Sequence, residues 1–334
     1  MNSPSISSRG LCLSTRCFLA AAFFLLNVHC SLLTVKAQTT DPVETIRIDT
    51  DLVNLSLSVF NRNSSLTAVP LEQKDFAVFE NGARQDILFF ASGETPFDLV
   101  LLLDLSGSTA DKISLIRKSA KRFVDAAPLP DRIAIVTFTA EVQVVSRLSS
   151  DHNALKKSID DIEKPVGGTN FWDALRFVLE HVLGQSRAEN RRSAVVVMTD
   201  GVDNALPGVF GDGSATSFED LLKIVQLSDA IVLPIYLDTE KEVDKRGVLK
   251  EAYALARQQL GMLAAESGNM IYQARKVKDL EGVYERVMRD LSTVYSIGYR
   301  PANPVSNGSW RGITVQLLGH PELAVRAKHG YYGK

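Results

Sequence analysis

Leu99-Val-Leu-Leu-Leu-Asp-Leu-Ser-Gly-Ser108 is the stretch that decides the fold. Leu99 to Leu103 is a short, unbroken apolar run, the pattern of a strand covered on both faces. A polar turn follows, and then Asp111 to Ala127 reads as an amphipathic helix. Outward from this unit the pattern repeats. Strand-like segments fall at Arg132 to Phe138, Val142 to Val145, Ala194 to Met198, Ala230 to Leu237 and Met270 to Tyr272. Helical stretches fall at Leu155 to Ile162, Phe171 to Leu183, Phe218 to Ser228, Gly247 to Ala265 and Val277 to Leu291. Strands alternating with helices build right-handed crossovers, so residues 97–293 are expected to form an α/β domain with a doubly wound, mostly parallel sheet.

The flanks read differently. Over 45–94, Leu55, Leu57 and Val59 alternate with polar residues, and Asn81-Gly82 separates two apolar runs, which signals a hairpin. Residues 294–334 hold two more strand-like runs, Gly312 to Leu318 and Leu323 to Lys328, joined by Gly-His-Pro-Glu. Neither flank is large enough for a core of its own. The expectation is that 45–94 and 294–334 pair as one small β domain into which the α/β domain is inserted.

Residues 1–37 are of another kind. Arg9 and Arg16 precede an apolar run from Cys17 to Val28, and Val35-Lys36-Ala37 precedes Gln38. This reads as a secretory signal peptide cleaved near Ala37, and the run is about half the roughly 20 residues that a membrane anchor needs. Cleavage would remove Arg9, Arg16, Lys36 and no acid, leaving 34 bases against 39 acids. It would also remove Cys12, Cys17 and Cys30, all the cysteines of the chain, and with them any disulfide or thiol chemistry. The expected product is secreted or periplasmic, at the cell envelope, with no stable membrane insertion. A formal charge of −2 for the whole chain, without a basic stripe, argues against nucleic acid.

In an open α/β sheet, ligands bind beyond the carboxyl ends of the strands. Asp104, Ser106 and Ser108 stand beyond one strand and Thr199-Asp200-Gly201 beyond another. Gly167-Gly168-Thr169 lies ahead of a helix. Two carboxylates and three hydroxyls suit a hard cation such as Mg2+, with Mn2+ or Ca2+ accommodated by the same oxygens. The carboxylates just neutralise a dication, so a sixth ligand from an acidic protein partner, an Asp or Glu carboxylate, would be welcome.

D-x-S-x-S, G-G-T and T-D-G, in this order and at strand ends, resemble the metal-ion-dependent adhesion site of the von Willebrand factor type A (VWA) family. The resemblance covers roughly 200 residues and implies a Rossmann-like domain that binds and adheres rather than catalyses. It implies that Ser106, Ser108 and Thr169 touch the metal, with Asp104 and Asp200 acting largely through water. Asp75-Phe-Ala-Val-Phe-Glu80-Asn81-Gly82 and Tyr295-Ser-Ile-Gly-Tyr-Arg-Pro301 are similar to a bacterial exported VWA-related subgroup. Around the site, Asp203 reads as a loop cap in preference to an outer-shell ligand. Asn170 reads as the cap of the next helix, and Phe171 and Trp172 as packing residues. No nucleophile elbow, P-loop or dinucleotide fingerprint is present, so catalysis is not expected. The other reading is a structural part of an envelope assembly, without metal-regulated binding.

Overall fold

The computed structural model describes residues 52–62, 70–93, 95–107, 113–163, 167–184, 191–238, 250–276, 279–303 and 308–333. The expected signal segment, with its cysteines, lies outside the described residues, as does Ser108. The elements run β1 (Val53–Asn61), β2 (Phe76–Glu80), β3 (Ala83–Gln85), β4 (Ile87–Ala91), β5 (Phe97–Asp104), α1 (Ile113–Ala126), β6 (Arg132–Phe138), β7 (Val142–Ser149), α2 (His152–Asp160) and α3 (Phe171–Phe177). They continue with β8 (Arg192–Thr199), α4 (Phe218–Leu227), β9 (Ile231–Leu237), α5 (Lys250–Glu266), β10 (Tyr272–Ala274), α6 (Leu280–Ser292), β11 (Val294–Tyr299), β12 (Trp310–Leu317), β13 (Leu323–Arg326) and β14 (Gly330–Tyr332).

The central sheet has the order β10-β9-β8-β5-β6-β7. Every pairing in it is parallel except β6 with β7. All eight residues of β5 are buried, as its apolar run requires. One face of the sheet packs on α1, α2 and α6, through residues such as Ile116, Phe123, Leu155 and Tyr284. The other packs on α3, α4 and α5, through Leu175, Leu221 and Leu260. From β5 the chain proceeds to β6, on one side; from β8 it proceeds to β9, on the other. The switch point therefore lies between β5 and β8, where crevices open above the carboxyl ends. Beyond α3 the helix runs on through a π-helical turn over Val178–Leu183.

Strands from both flanks share two antiparallel sheets, ordered β13-β1-β11-β4 and β14-β12-β2-β3. Leu55, Leu57, Phe76, Val78, Ile297, Tyr299 and Ile313 fill one core between them. Asn81 and Gly82 both take positive φ, +48° and +82°, forming the tight turn of the β2–β3 hairpin. The sequence pattern leaves open which layer two of these strands join. The apolar run after Asn81-Gly82, Arg84 to Phe90, supplies two strands. It breaks at Asp86, with β3 pairing to β2 and β4 crossing to the opposite sheet beside β11. Gly-His-Pro-Glu is a turn, as expected, and it carries the chain between layers: β12 pairs with β2 and β14, whereas β13 pairs with β1 in the other layer. A two-layer core rewards such switches, because each strand buries its apolar face by changing layer.

The two crossings between the α/β domain and the sandwich touch each other. A Cβ on Gly93 would sit 2.2 Å from the carbonyl oxygen of Ser292. Arg192, at the start of β8, ties both together. Its Nε donates to the Thr95 carbonyl (2.9 Å), Nη2 to that of Gly93 (2.8 Å) and Nη1 to that of Val294. The guanidinium lies 3.9 Å from the Phe97 ring centroid. Burial lowers its pKa to about 10, so it stays cationic at neutral pH.

Glu80, the acid of the Glu80-Asn81-Gly82 segment, is buried in the sandwich. It pairs with Arg311 at 2.7 Å and accepts from the hydroxyls of Tyr299 (2.7 Å) and Tyr331 (2.8 Å). The carboxylate thus joins β2, β11, β12 and β14. Glu80→Ala should cost about 3–5 kcal/mol, because it strands a buried guanidinium. Glu80→Leu combined with Arg311→Met should recover most of that loss. Urea midpoints of the two variants measure the difference, and a Glu80→Ala midpoint equal to wild type would rule out this role.

Candidate metal centre

The strand registers bring the predicted residues to one edge. Leu103 of β5 is level with Met198 of β8, so Asp104 and Thr199-Asp200 leave the sheet side by side. Asp104 is fully buried; Ser106, Asp200 and Thr169 are also buried. The Asp104 carboxylate accepts from the Ser106 amide (2.8 Å) and from the Thr199 hydroxyl (2.5 Å). Thr199 Oγ1 in turn accepts from the Gly201 amide at 2.8 Å, and Asp200 Oδ1 from the Val202 amide at 3.2 Å. Gly201 has φ +75°, and a Cβ there would lie 2.7 Å from Leu260 Cδ1. No other residue type meets both conditions without strain.

Thr169 is held by its neighbours' backbone and by Asn204. The Thr169 amide donates to Asn204 Oδ1 (3.2 Å), and the Asn204 amide donates to the Thr169 carbonyl (2.9 Å). Asn204 is wedged between two glycines: a Cβ on Gly168 or Gly211 would come within 2.4 and 2.5 Å of its Nδ2. This explains why Thr169 follows glycine. Asn204 was not picked out in the sequence. Its signal is a pairing between distant segments, which no local pattern carries.

Asp203 is a loop residue, with all its visible work structural. Oδ1 accepts from the amides of Ala205 (2.8 Å) and Ser214 (3.1 Å). Oδ2 accepts from the Trp172 amide (3.0 Å) and the Ser214 hydroxyl (2.6 Å). Asn170 occupies the position before α3 but makes no side-chain cap. Its Nδ2 donates instead to the Ala140 carbonyl at 3.2 Å. The cap comes from a distance: Asp203 takes the Trp172 amide and Ser214 takes the Asp173 amide (3.1 Å). Asp173 answers by accepting from the amides of Ala215 and Thr216 (2.8 and 2.9 Å). Phe171 and Trp172 pack as expected, against Phe138 and Phe218.

Burial, and then the nearby Asp200 carboxylate, push the Asp104 carboxyl up to about 7; bonds from Thr199 and Ser106 oppose the shift. A site that crowds two buried acids favours a cation between them. The donors are hard oxygens only, which fits Mg2+, Mn2+ or Ca2+ rather than a soft metal. Among the described residues no group of three His, Cys, Asp or Glu forms an alternative centre.

An α/β sheet with carboxylate and hydroxyl loops gathered at its switch point is the architecture of a ligand-binding domain. The von Willebrand factor type A domain model matches residues 98–286, more than half of the chain, and the chain belongs to that family. It is similar to the collagen alpha-1(VI) chain of Xenopus laevis, 28% identical over 154 residues, covering 43% of this chain and 14% of that relative. The chain thus spans a small part of that relative's length. It is also similar to proximal thread matrix protein 1 of the mussel byssus, in a structure with a zinc-occupied MIDAS motif: 16% identity, TM-score 0.47, covering 60% of this chain and 49% of that one. A third likeness is to the vWF domain of the type V pili tip protein of Porphyromonas gingivalis: 13% identity, TM-score 0.44, covering 58% and 94%.

The raised carboxyl has a thermodynamic consequence. Between the ordinary value of 3.8 and about 7, the unfolded chain has released a proton that the folded chain keeps. The cation-free fold should therefore lose stability as pH rises through that window, and the loss is complete above it. Asp104→Asn should abolish this slope and exceed wild type in stability at pH 8 in chelator. Parallel urea-midpoint profiles for the two proteins, from pH 4 to 8, would contradict the assignment.

Proposed function

We propose that this chain is an exported, divalent-cation-dependent protein-binding module of adhesive type. Asp104, Ser106, Ser108, Thr169 and Asp200 would hold Mg2+, or Mn2+ or Ca2+ in its place. The observation that carries the reading is the convergence of buried Asp104 and Asp200 with Ser106 at the switch point, where Asp200 raises the Asp104 carboxyl. When bound, the ion supplies a Lewis-acidic anchor for one partner carboxylate. The chain's own residues do the rest. The two acids neutralise a dication, and Ser106 and Thr169 offer neutral oxygens. The Asp203 and Asn204 contacts keep the Thr169 loop rigid. With three hydroxyls as ligands and the two carboxylates acting through water, an ion of octahedral preference would have a position left for an Asp or Glu from a protein partner. Among the described residues no helix is long and apolar enough to cross a membrane. In this reading the flanks 45–94 and 294–334 form one β domain carrying the VWA domain of 97–293, and cleavage follows Ala37.

Calorimetric titration of the chain from Gln38 with Mg2+ and Mn2+ tests the site. One saturable site is expected, weakened at least about tenfold in Asp104→Ala and in Ser106→Ala, as loss of a charge-assisted ligand implies. Affinity should rise from pH 6 to 8 as Asp104 loses its proton. Undiminished binding in both variants would place the ion elsewhere. For export, N-terminal sequencing of the protein recovered outside the cytoplasm should begin at Gln38; an intact Met1 would refute cleavage.

A further inference from the structure

At the amino edge of the central sheet, where α6 passes towards the sandwich, a cavity of about 250 Å3 is lined by Arg286, Arg289, Arg326, Tyr272, Asn269 and Asp290. Arg286 and Arg289 are one turn apart on α6, and Arg326 comes from β13, near the far end of the chain. The Arg326 guanidinium is stacked over the Phe60 ring, 3.8 Å from its centroid, which fixes its plane. Neither Arg286 nor Arg289 forms an ion pair with a described residue. Asp290 is the acid of this lining, and its Oδ2 accepts from the Tyr272 hydroxyl at 2.6 Å. Asn269 is anchored to the Ser58 hydroxyl at 3.1 Å, so the wall opposite α6 is built as well.

Three guanidiniums around one acid leave a net charge of about +2 in a partly enclosed space. Arg286 and Arg289 are exposed and Arg326 half-buried, so this positive charge stands at the cavity mouth, within reach of an anion from solvent. Forked, planar donors suit the oxygens of a phosphate better than a point charge does. The cavity is too small for a nucleic-acid strand. We propose that this cavity binds a small multivalent oxyanion of the phosphate class, free or as a monoester. Because the walls come from β1, α6 and β13, the bound anion would bridge the VWA domain and the sandwich.

The test titrates inorganic phosphate and glycerol phosphate into the chain at constant ionic strength, with chelator present, and follows heat and unfolding temperature. Saturable one-site binding and a rising unfolding temperature are expected. Both should weaken at least about tenfold in Arg289→Gln and Arg326→Gln, and Arg289→Lys, which keeps charge but loses the fork, should fall between. Arg147→Gln, an exposed arginine on β7, should behave as wild type. Tighter binding of the ester than of free phosphate would identify the esterified form as the ligand; the reverse would identify the free ion. Asp104→Ala should bind phosphate normally, which separates this site from the cation site. No saturation by about 10 mM, or an equal response in Arg147→Gln and the cavity variants, would overturn the proposal and leave only a general salt effect.

Discussion

The parallel pairing of β5 with β8 is the constraint on which the rest depends. Its register runs from Phe97 opposite Arg192 to Leu103 opposite Met198. At the carboxyl end it sets Asp104 beside Thr199 and Asp200, closely enough for the Thr199 hydroxyl to reach the Asp104 carboxylate. At the amino end it sets Arg192 beside Phe97, where the guanidinium reaches the carbonyls of both interdomain crossings. A register slip of one residue would invert each side chain's face and break both ends at once. Site and domain junction are thus two outcomes of one pairing. That pairing is driven by two apolar runs, Leu99 to Leu103 and Ala194 to Met198, none of whose side chains is exposed.

What could be read from the sequence was what is local. A five-residue apolar run announces a buried strand, and Asn81-Gly82 announces a tight turn, because each outcome follows from neighbouring residues. The positions of Asp104, Ser106, Thr169 and Asp200 at strand and loop ends were legible for the same reason. Contacts between distant segments were not. Asp203 caps a helix that starts about 30 residues earlier, and Asn204 is gripped by Gly168 and Gly211; neither leaves a periodic trace. The sheet changes at Asp86 and between β12 and β13 were hidden as well. Alternation tells which face of a strand is buried but not which layer buries it. The antiparallel β7 also extends to Ser149, further than its apolar start at Val142 to Val145 indicates. It is an edge strand, mostly half-exposed, so polar residues cost it little.

The loop from Gly201 to Ser217 makes the candidate site rigid without regular structure. Asp203, Asp173 and Ser214 exchange bonds between this loop and the start of α3, and Gly213 lies so close to Ala205 that a Cβ would fall 2.0 Å from its amide nitrogen. Each bond is modest by itself, about 0.5–1.5 kcal/mol net, with those to carboxylates somewhat stronger. Their value is that they close on one another. Moving Thr169 would require breaking the Asn204 contacts, and Asn204 is penned by two glycine backbones. A backbone fixed in this way presents its side chain to a ligand at little further entropic cost, which is the advantage of preorganisation.

Charge is sorted along the strand axis for a reason rooted in the winding. In a doubly wound sheet the helices begin above the carboxyl ends of the strands and finish at the amino ends. Their dipoles leave partial positive charge on the first edge and partial negative charge on the second. Acids accordingly collect at the first: Asp104 and Asp200 in the loops, and Glu219 and Asp220 in the opening turn of α4. Bases outnumber acids at the second: Arg132, Arg191 and Arg192 stand there with Asp98 and Asp131, and Arg286 and Arg289 of α6 with Asp290. In the two proposals above, the first edge takes a cation and the second an anion. The two edges are joined by a sheet whose central strand β5 is wholly buried and therefore stiff.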